Sequence, residues 1–265
     1  MTTVLQALRT LSQASVIARA DMKMIYTWKT WLGAWLVRLL CQVAFYGVIG
    51  ASIDVGEYQR FVILGAVMVI SATEPMAAVA STTWDRVAGT TPLLAASPVY
   101  LGFFYFGRSI QWPASACVTT TTALLVMSPI FGVAWSASDV PTAILLIALT
   151  SFATYGLALA LGAAALMVAG ARNIISNVTV ILSTAFCGVV VPVSFWPPPV
   201  GWVVQAVPLT HGVNAIRDLA AGEGASTVAA SAMLIVVTGV GWVGLAFLAN
   251  RIVFAYSRHG GRLSS

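Results

Sequence analysis

Six long apolar segments, separated by short polar stretches, dominate the pattern along this chain. A helix rises about 1.5 Å per residue and needs about 20 apolar residues to cross the hydrocarbon core of a bilayer. The segments that reach this length are 30–51, 60–83, 99–127, 141–166, 174–196 and 228–250. The pattern predicts an all-α integral membrane protein with six transmembrane helices, forming a single domain over residues 1–265.

Residues 1–28 follow a different pattern, because apolar and polar positions alternate there at helical spacing. Such an amphipathic segment predicts an interfacial helix lying on the membrane surface, and a loosely ordered tail is the alternative. A cleaved signal peptide would place one continuous apolar run directly after a basic start. The segment lacks that run, so we expect it to stay in the mature protein.

The connection between the fifth and sixth segments, residues 192–224, is too long for a tight turn and too apolar for a free loop. Three consecutive prolines at 197–199 prevent the preceding helix from continuing. Non-helical backbone at membrane depth has to be buried in protein. The sequence therefore predicts a re-entrant outer segment, built as a pair of short helices that dip into the outer leaflet.

Composition supports a membrane protein, since 59% of the residues are hydrophobic and 8% are charged, against about 25% charged in a typical soluble domain. The net charge of +5 is not clustered as a nucleic-acid interface requires, so we expect no nucleic-acid partner. With the N-terminus inside, the predicted outer side carries Arg60 and Arg217. The predicted cytoplasmic side carries Arg9, Arg19, Lys23, Lys29, Arg86, Arg172, Arg251, Arg258 and Arg262.

This excess of basic residues inside satisfies the positive-inside rule and predicts a multi-pass protein with both termini in the cytoplasm. The richness in alanine and valine is typical of a GC-rich bacterium, so we expect the bacterial plasma membrane.

Motifs for catalysis or nucleotide binding are missing from the sequence. The two lysines, Lys23 and Lys29, do not follow a glycine-rich loop, which excludes the Walker A motif GxxxxGK[ST]. HExxH and GxSxG are also absent. The three cysteines lie singly within apolar stretches, without the spacing of a zinc site. We predict no catalytic residue, no metal and no cofactor in this chain.

Three charged residues fall within predicted spans, where a lone charge costs at least a few kcal/mol. Counting along each span places Arg38, Glu74 and Arg108 at similar depth, about 12–14 Å above the cytoplasmic boundary. The hypothesis is an intramembrane polar cluster of these three side chains. The alternative is that each arginine extends toward the inner headgroups. Pro75 follows Glu74 and predicts a bend in the second span.

The predicted first cytoplasmic loop, DRVAGTTPLLAASPV at 85–99, resembles that of type-2 ABC transporter permeases, whose pattern runs roughly E-R-E-x-G-T-L-E-x-L-L-x-T-P-V. It departs from the pattern at Asp85, Val87 and Pro92. The matching positions are Arg86, Gly89, Thr90, Leu93, Leu94, Pro98 and Val99. The resemblance implies a coupling helix over 85–97 that docks on an ATPase, with Leu93 and Leu94 as apolar anchors and Asp85 and Arg86 giving orientation.

The outer segment also resembles this family, whose corresponding motif is P-x-S followed later by P-L-T-[YH] and an arginine. The matching positions are Pro192, Ser194, Pro208, Leu209, Thr210, His211 and Arg217. His211 and Arg217 could contact substrate or hold the segment together. The two motifs lie on opposite sides of the predicted membrane, and with the helical segments they extend the resemblance over nearly the whole chain.

The resemblance implies the permease of an ABC exporter, similar to those for daunorubicin or for nodulation polysaccharides. Its partners would be the lipid bilayer, a second permease copy or related permease, and a separate ATP-binding subunit that holds ATP and Mg. We expect a dimer that exports a hydrophobic or amphiphilic compound such as a drug, antibiotic or lipid, as in multidrug efflux. The alternatives are a lipid-linked polysaccharide exporter and a non-ATP channel or scaffold.

Overall fold

The computed structural model describes residues 2–53, 56–84, 89, 101–168 and 170–258. Within these ranges the ordered elements are helices, and α3 and α4 are each built in two parts. In chain order they are α1 (Thr2–Ile25), α2 (Trp28–Ser52), α3 (Gly56–Thr73 and Ala77–Thr82), α4 (Leu101–Arg108 and Gln111–Ile130), α5 (Asp139–Ala165), α6 (Arg172–Phe186), α7 (Pro198–Gln205), α8 (Pro208–Ala220) and α9 (Ala225–Arg258).

Five of these helices, α2, α3, α4, α5 and α9, are long and apolar enough to cross a membrane. They correspond to the first four predicted spans and the sixth, so those helices are confirmed. The protein is therefore an all-α, multi-pass membrane protein. The predicted N-terminal helix is present as α1, and the predicted pair of short outer helices is present as α7 and α8. Their positions relative to a bilayer stay predictions.

The fifth predicted span, 174–196, is wrong as a continuous helix. Helix α6 ends at Phe186 after 15 residues, which is about 22 Å and shorter than the hydrocarbon core of about 30 Å. Gly188 then adopts a φ of 81°, a conformation that favours glycine. The chain continues through bends to a 3₁₀ turn at Val193–Phe195. A glycine-dependent turn within an apolar run thus ends the helix.

The predicted bend at Pro75 is confirmed, because a turn at residues 74–76 separates the two parts of α3. The Ser176 hydroxyl of α6 donates to the Met76 carbonyl at 3.2 Å. Helix α4 has a similar break after Arg108, where the Tyr155 hydroxyl donates to the Phe106 carbonyl at 2.5 Å. Neighbouring helices therefore supply hydrogen bonds to backbone carbonyls at both breaks, as a membrane interior requires.

Helix α3 lies at the centre of the bundle, and its residues from Val62 to Ala72 are all buried. It packs on α2, α4, α5 and α8. Helices α5 and α9 form the most extensive pair, and Gly156 and Gly239 bring their backbones together. Gly65 of α3 is equally close to the bend after α6, since a Cβ there would overlap the Val189 carbonyl oxygen. Small residues thus allow the close helix contacts that are common in membranes.

Helix α1 packs against the first part of α4. Ala14 and Ala18 are its buried positions, and Ala14 lies against Gly107. Its opposite face carries exposed side chains, among them Leu8, Arg9, Val16 and Ile17. The amphipathic pattern therefore forms one face of α1 that contacts the bundle and a second face that is free.

Candidate transport site

Glu74 is a fully buried carboxyl group at the end of the first part of α3. Its Oε1 accepts a short hydrogen bond from the Thr119 hydroxyl of α4, and Ser115 and Trp35 lie close to the carboxyl. Oε2 is buried without a well-aligned hydrogen bond. A buried carboxyl group is costly unless it is paired or hydrogen-bonded, so Glu74 depends on the polar face that Thr119 and Ser115 provide.

Arg108 forms its ion pair with Asp21 of α1, with Nη1 and Oδ2 2.9 Å apart. Both side chains are largely buried. The pair joins α1 to the first part of α4, directly before the break in that helix. The sequence predicted no role for Asp21. The ion pair adds a contact between the N-terminal helix and the long apolar helices.

The hypothesis of a cluster formed by Arg38, Glu74 and Arg108 is therefore wrong as stated. Arg108 turns to Asp21. Arg38 is exposed, lies over the Trp35 ring at 4.6 Å from its centroid, and acts on Glu74 only electrostatically. Among the residues that the structure describes, Arg108 and Asp21 form the single ion pair.

We expect Asp21→Ala to destabilise the protein by about 2 kcal/mol, because Arg108 loses a largely buried charged partner. Thermal unfolding of the purified chain in detergent would measure the change. Lys23→Ala is the matched control, since Lys23 is exposed on the same helix. Exchanging the charges with Asp21→Arg and Arg108→Asp together should recover part of the loss. Equal unfolding temperatures for Asp21→Ala and Lys23→Ala would contradict the role of the pair.

The PLTH motif of the outer segment connects α7 to α8. Pro208 opens α8 at a position where its missing N–H costs nothing. The Thr210 hydroxyl donates to the Val204 carbonyl at 2.6 Å, and the His211 Nε2 lies 2.8 Å from the Gln205 carbonyl. Both bonds reach carbonyls at the end of α7, where helical partners are missing. Of the two roles considered for His211, the structure thus supports the structural one.

Arg217 holds the bend after α6 against α3. Its Nη1 donates to the Gly188 carbonyl at 2.6 Å, and its Nη2 donates to the carbonyls of Phe61 and Val189 at 2.6 and 3.0 Å. The guanidinium also stacks on the Phe61 ring. Non-helical backbone leaves carbonyls without partners, and one planar guanidinium can satisfy several of them. Pro192, the other predicted outer residue here, begins the 3₁₀ turn that follows the bend.

Burial lowers the pKa of Arg217 to about 9, while the neighbouring Asp218 carboxylate acts in the opposite direction. The group is still protonated at neutral pH. Asp218 itself accepts a hydrogen bond from Ser231 of α9 at 3.2 Å. The outer segment therefore carries a half-buried positive charge next to an acidic residue that is itself hydrogen-bonded to α9.

A cavity of about 680 Å³ lies under α1, between that helix, the start of α2 and the second part of α4. Its walls are mainly apolar and aromatic, with Tyr26, Trp28 and Trp31 among them. Ser115 belongs to the same wall and accepts a hydrogen bond from Trp31 Nε1 at 3.4 Å. The cavity thus reaches the polar face on which Glu74 depends.

The predicted coupling residues lie outside the described part of the chain, except Gly89. That glycine has a φ of 70°, a conformation that favours glycine. The roles of the remaining coupling positions stay predictions. These positions are Asp85, Arg86, Thr90, Leu93, Leu94 and Pro98.

A bundle of long apolar helices with buried polar contacts places this protein in the class of multi-pass membrane proteins. The sequence model of the ABC-2 type transporter family matches residues 6–220. The chain belongs to this family. Its members are membrane components that lack ATPase motifs and work with an ATP-binding subunit. No individual curated protein matches the chain.

Proposed function

We propose that this chain is the membrane-spanning subunit of a bacterial ATP-driven exporter for a hydrophobic or amphiphilic compound. The observation that carries the proposal is membership of the ABC-2 type transporter family over residues 6–220. The sequence has no Walker A motif, so a separate subunit has to bind ATP and Mg. The mainly apolar cavity under α1 supports an amphiphilic cargo over a hydrophilic one.

The orientation follows from the charge distribution, with both termini and the loop after α3 in the cytoplasm. In this orientation α6 and the bend held by Arg217 form one interrupted span. It is the fifth in chain order and brings the total to six. Helices α7 and α8 form the re-entrant outer segment.

A second permease copy is needed to complete the pathway. Helix α6 exposes Asn173 and Asn177 on the same surface as Ile174, Val178 and Ile181. Asparagine side chains facing lipid are unfavourable, because lipid offers them no hydrogen-bond partner. We therefore place α6 at the interface of a dimer, where these amides face the partner or the pathway between the two copies.

The proposal is tested by identifying the partners of the chain and by changing the predicted coupling loop. The tagged chain is isolated gently from its native membranes, its partners are identified, and vanadate-sensitive ATPase activity is measured. We expect an equimolar partner that contains GxxxxGK[ST]. We expect the double change of Leu93 and Leu94 to aspartate to abolish assembly or to uncouple ATP hydrolysis from transport, because buried apolar anchors become charged.

The control is the double change of Leu93 and Leu94 to methionine, which keeps the volume and apolar character of the anchors and should preserve coupling. Complex formation and coupled transport that survive the aspartate changes would show that the loop is not the coupler. A chain that purifies alone and hydrolyses no ATP, under conditions where known ABC complexes stay intact, would favour a channel or scaffold.

A further inference from the structure

A second cavity, of about 450 Å³, opens at the predicted outer side of the bundle. It lies between the start of α3, the turn after α4 and the end of α8. One part of its wall is apolar and includes Leu64 and Val133. The charged residues that line it are Glu57, Arg60 and Arg217. Two positive charges and one negative charge give this outer cavity a net positive charge.

Arg217 lines the outer cavity and keeps unused hydrogen-bonding capacity. A guanidinium carries five N–H groups, and the carbonyls of Phe61, Gly188 and Val189 occupy three of them. Nε is buried and has no hydrogen-bond partner. Within the described part of the chain, no carboxylate lies in ion-pair distance of Arg217. A half-buried cation with an unsatisfied donor is stabilised when an anion pairs with it.

Arg60 adds a second cation at the same place. It lies one residue before Phe61, whose carbonyl and ring both contact Arg217, and its own side chain is exposed. Neither arginine is paired with Glu57 in the part of the chain that the structure describes. The cavity therefore presents one half-buried and one exposed guanidinium next to an apolar wall.

We propose that the outer cavity binds the anionic phosphodiester headgroup of a phospholipid from the outer leaflet. Guanidinium groups match the geometry of phosphate oxygens and are the preferred cations for them. The apolar wall beside the arginines suits the glycerol and the first part of the acyl chains. A small soluble anion would leave this wall uncovered. The proposal does not depend on ATP-driven export or on the identity of the cargo.

The test uses the full-length chain, purified in a non-ionic detergent, depleted of lipid and then supplied with dioleoylphosphatidylglycerol. Native mass spectrometry counts the lipid that each chain retains. We expect a retained phosphatidylglycerol and no retention of dioleoylglycerol, which has the same chains without the phosphate. Excess inorganic phosphate should not displace the lipid. Displacement by phosphate would identify a free-anion site, and equal retention of oleate would identify a site for carboxylates; either result would overturn the proposal.

Two variants locate the binding without removing the structural arginine. Arg60→Gln should lower the affinity for phosphatidylglycerol roughly fivefold, as expected for one exposed charge contact. Ala134→Trp fills the cavity from an exposed position in its wall and should abolish retention. The matched controls are Arg251→Gln and Ala225→Trp, exposed positions outside the cavity, which should retain lipid as the unmodified chain does. Unchanged retention in both cavity variants would show that the lipid binds elsewhere.

Discussion

Arg217→Leu is expected to prevent the chain from accumulating in the membrane as a folded protein. The change removes the donors of three backbone carbonyls, at Phe61, Gly188 and Val189. Phe61 lies within α3, so its carbonyl keeps a helical partner, whereas the Gly188 and Val189 carbonyls lie in the bend. Each buried polar group left unsatisfied costs about 1–3 kcal/mol, so the sum for these two carbonyls is about 2 kcal/mol or more. A typical domain has a free energy of unfolding of about 5–15 kcal/mol. The loss is therefore a large fraction of the total stability.

Size-exclusion chromatography of the fluorescently tagged chain, followed by thermal unfolding, would measure this effect. Arg60→Leu is the matched control, because Arg60 is a nearby arginine whose side chain is exposed and makes no contact with the bend. We expect Arg217→Lys to fall between the two, since one ammonium cannot reach the three carbonyls as a planar fork does. A monodisperse Arg217→Leu protein that unfolds at the temperature of Arg60→Leu would show that Arg217 does not hold the bend after α6.

Five long apolar helices followed from the sequence because length and apolar character can be read from each segment alone, whatever its neighbours are. The end of α6 could not be predicted in that way. Apolar character continues through Cys187, Val189 and Val190, although the helix has ended. Gly188 and Pro192 lie within that apolar run, and they are the two residues that could have indicated the end of the helix. What stabilises the bend is Arg217, which lies 29 residues from Gly188 in the chain.

The intramembrane charges show a different limit. Counting residues gives the depth of a side chain along a helix but not its direction around the helix axis. Arg108 therefore pairs with Asp21, which depth along the helix alone could not indicate. Asp21 is the first acidic residue in the sequence and the only one before Asp54, which was a usable signal. Because α1 was predicted to lie on the membrane surface, its acidic residue was not considered as a partner for charges within the spans.

Glu74→Ala is expected to damage folding and transport, whereas Glu74→Gln should be tolerated. Alanine removes the side-chain acceptor of the Thr119 hydroxyl, which then has only backbone carbonyls of its own helix, and leaves a cavity at a position with no exposed surface. We estimate a loss of about 2–4 kcal/mol from these two effects. Glutamine keeps the volume and one carbonyl oxygen for Thr119, so its loss should stay below about 1 kcal/mol. Thermal unfolding and reconstituted transport would measure both.

Glu57→Ala is the matched control, since Glu57 is an exposed glutamate at the other end of α3 and should change stability by less than about 0.5 kcal/mol. If Glu74→Ala unfolds and transports like Glu57→Ala, the buried carboxyl group has no structural role. Glu74 is also the first residue of the turn that separates the two parts of α3, and the second part leads toward the proposed coupling loop. A loss of transport in Glu74→Ala that exceeds its loss of folded protein would therefore indicate that Glu74 helps to transmit movement from that loop into the bundle.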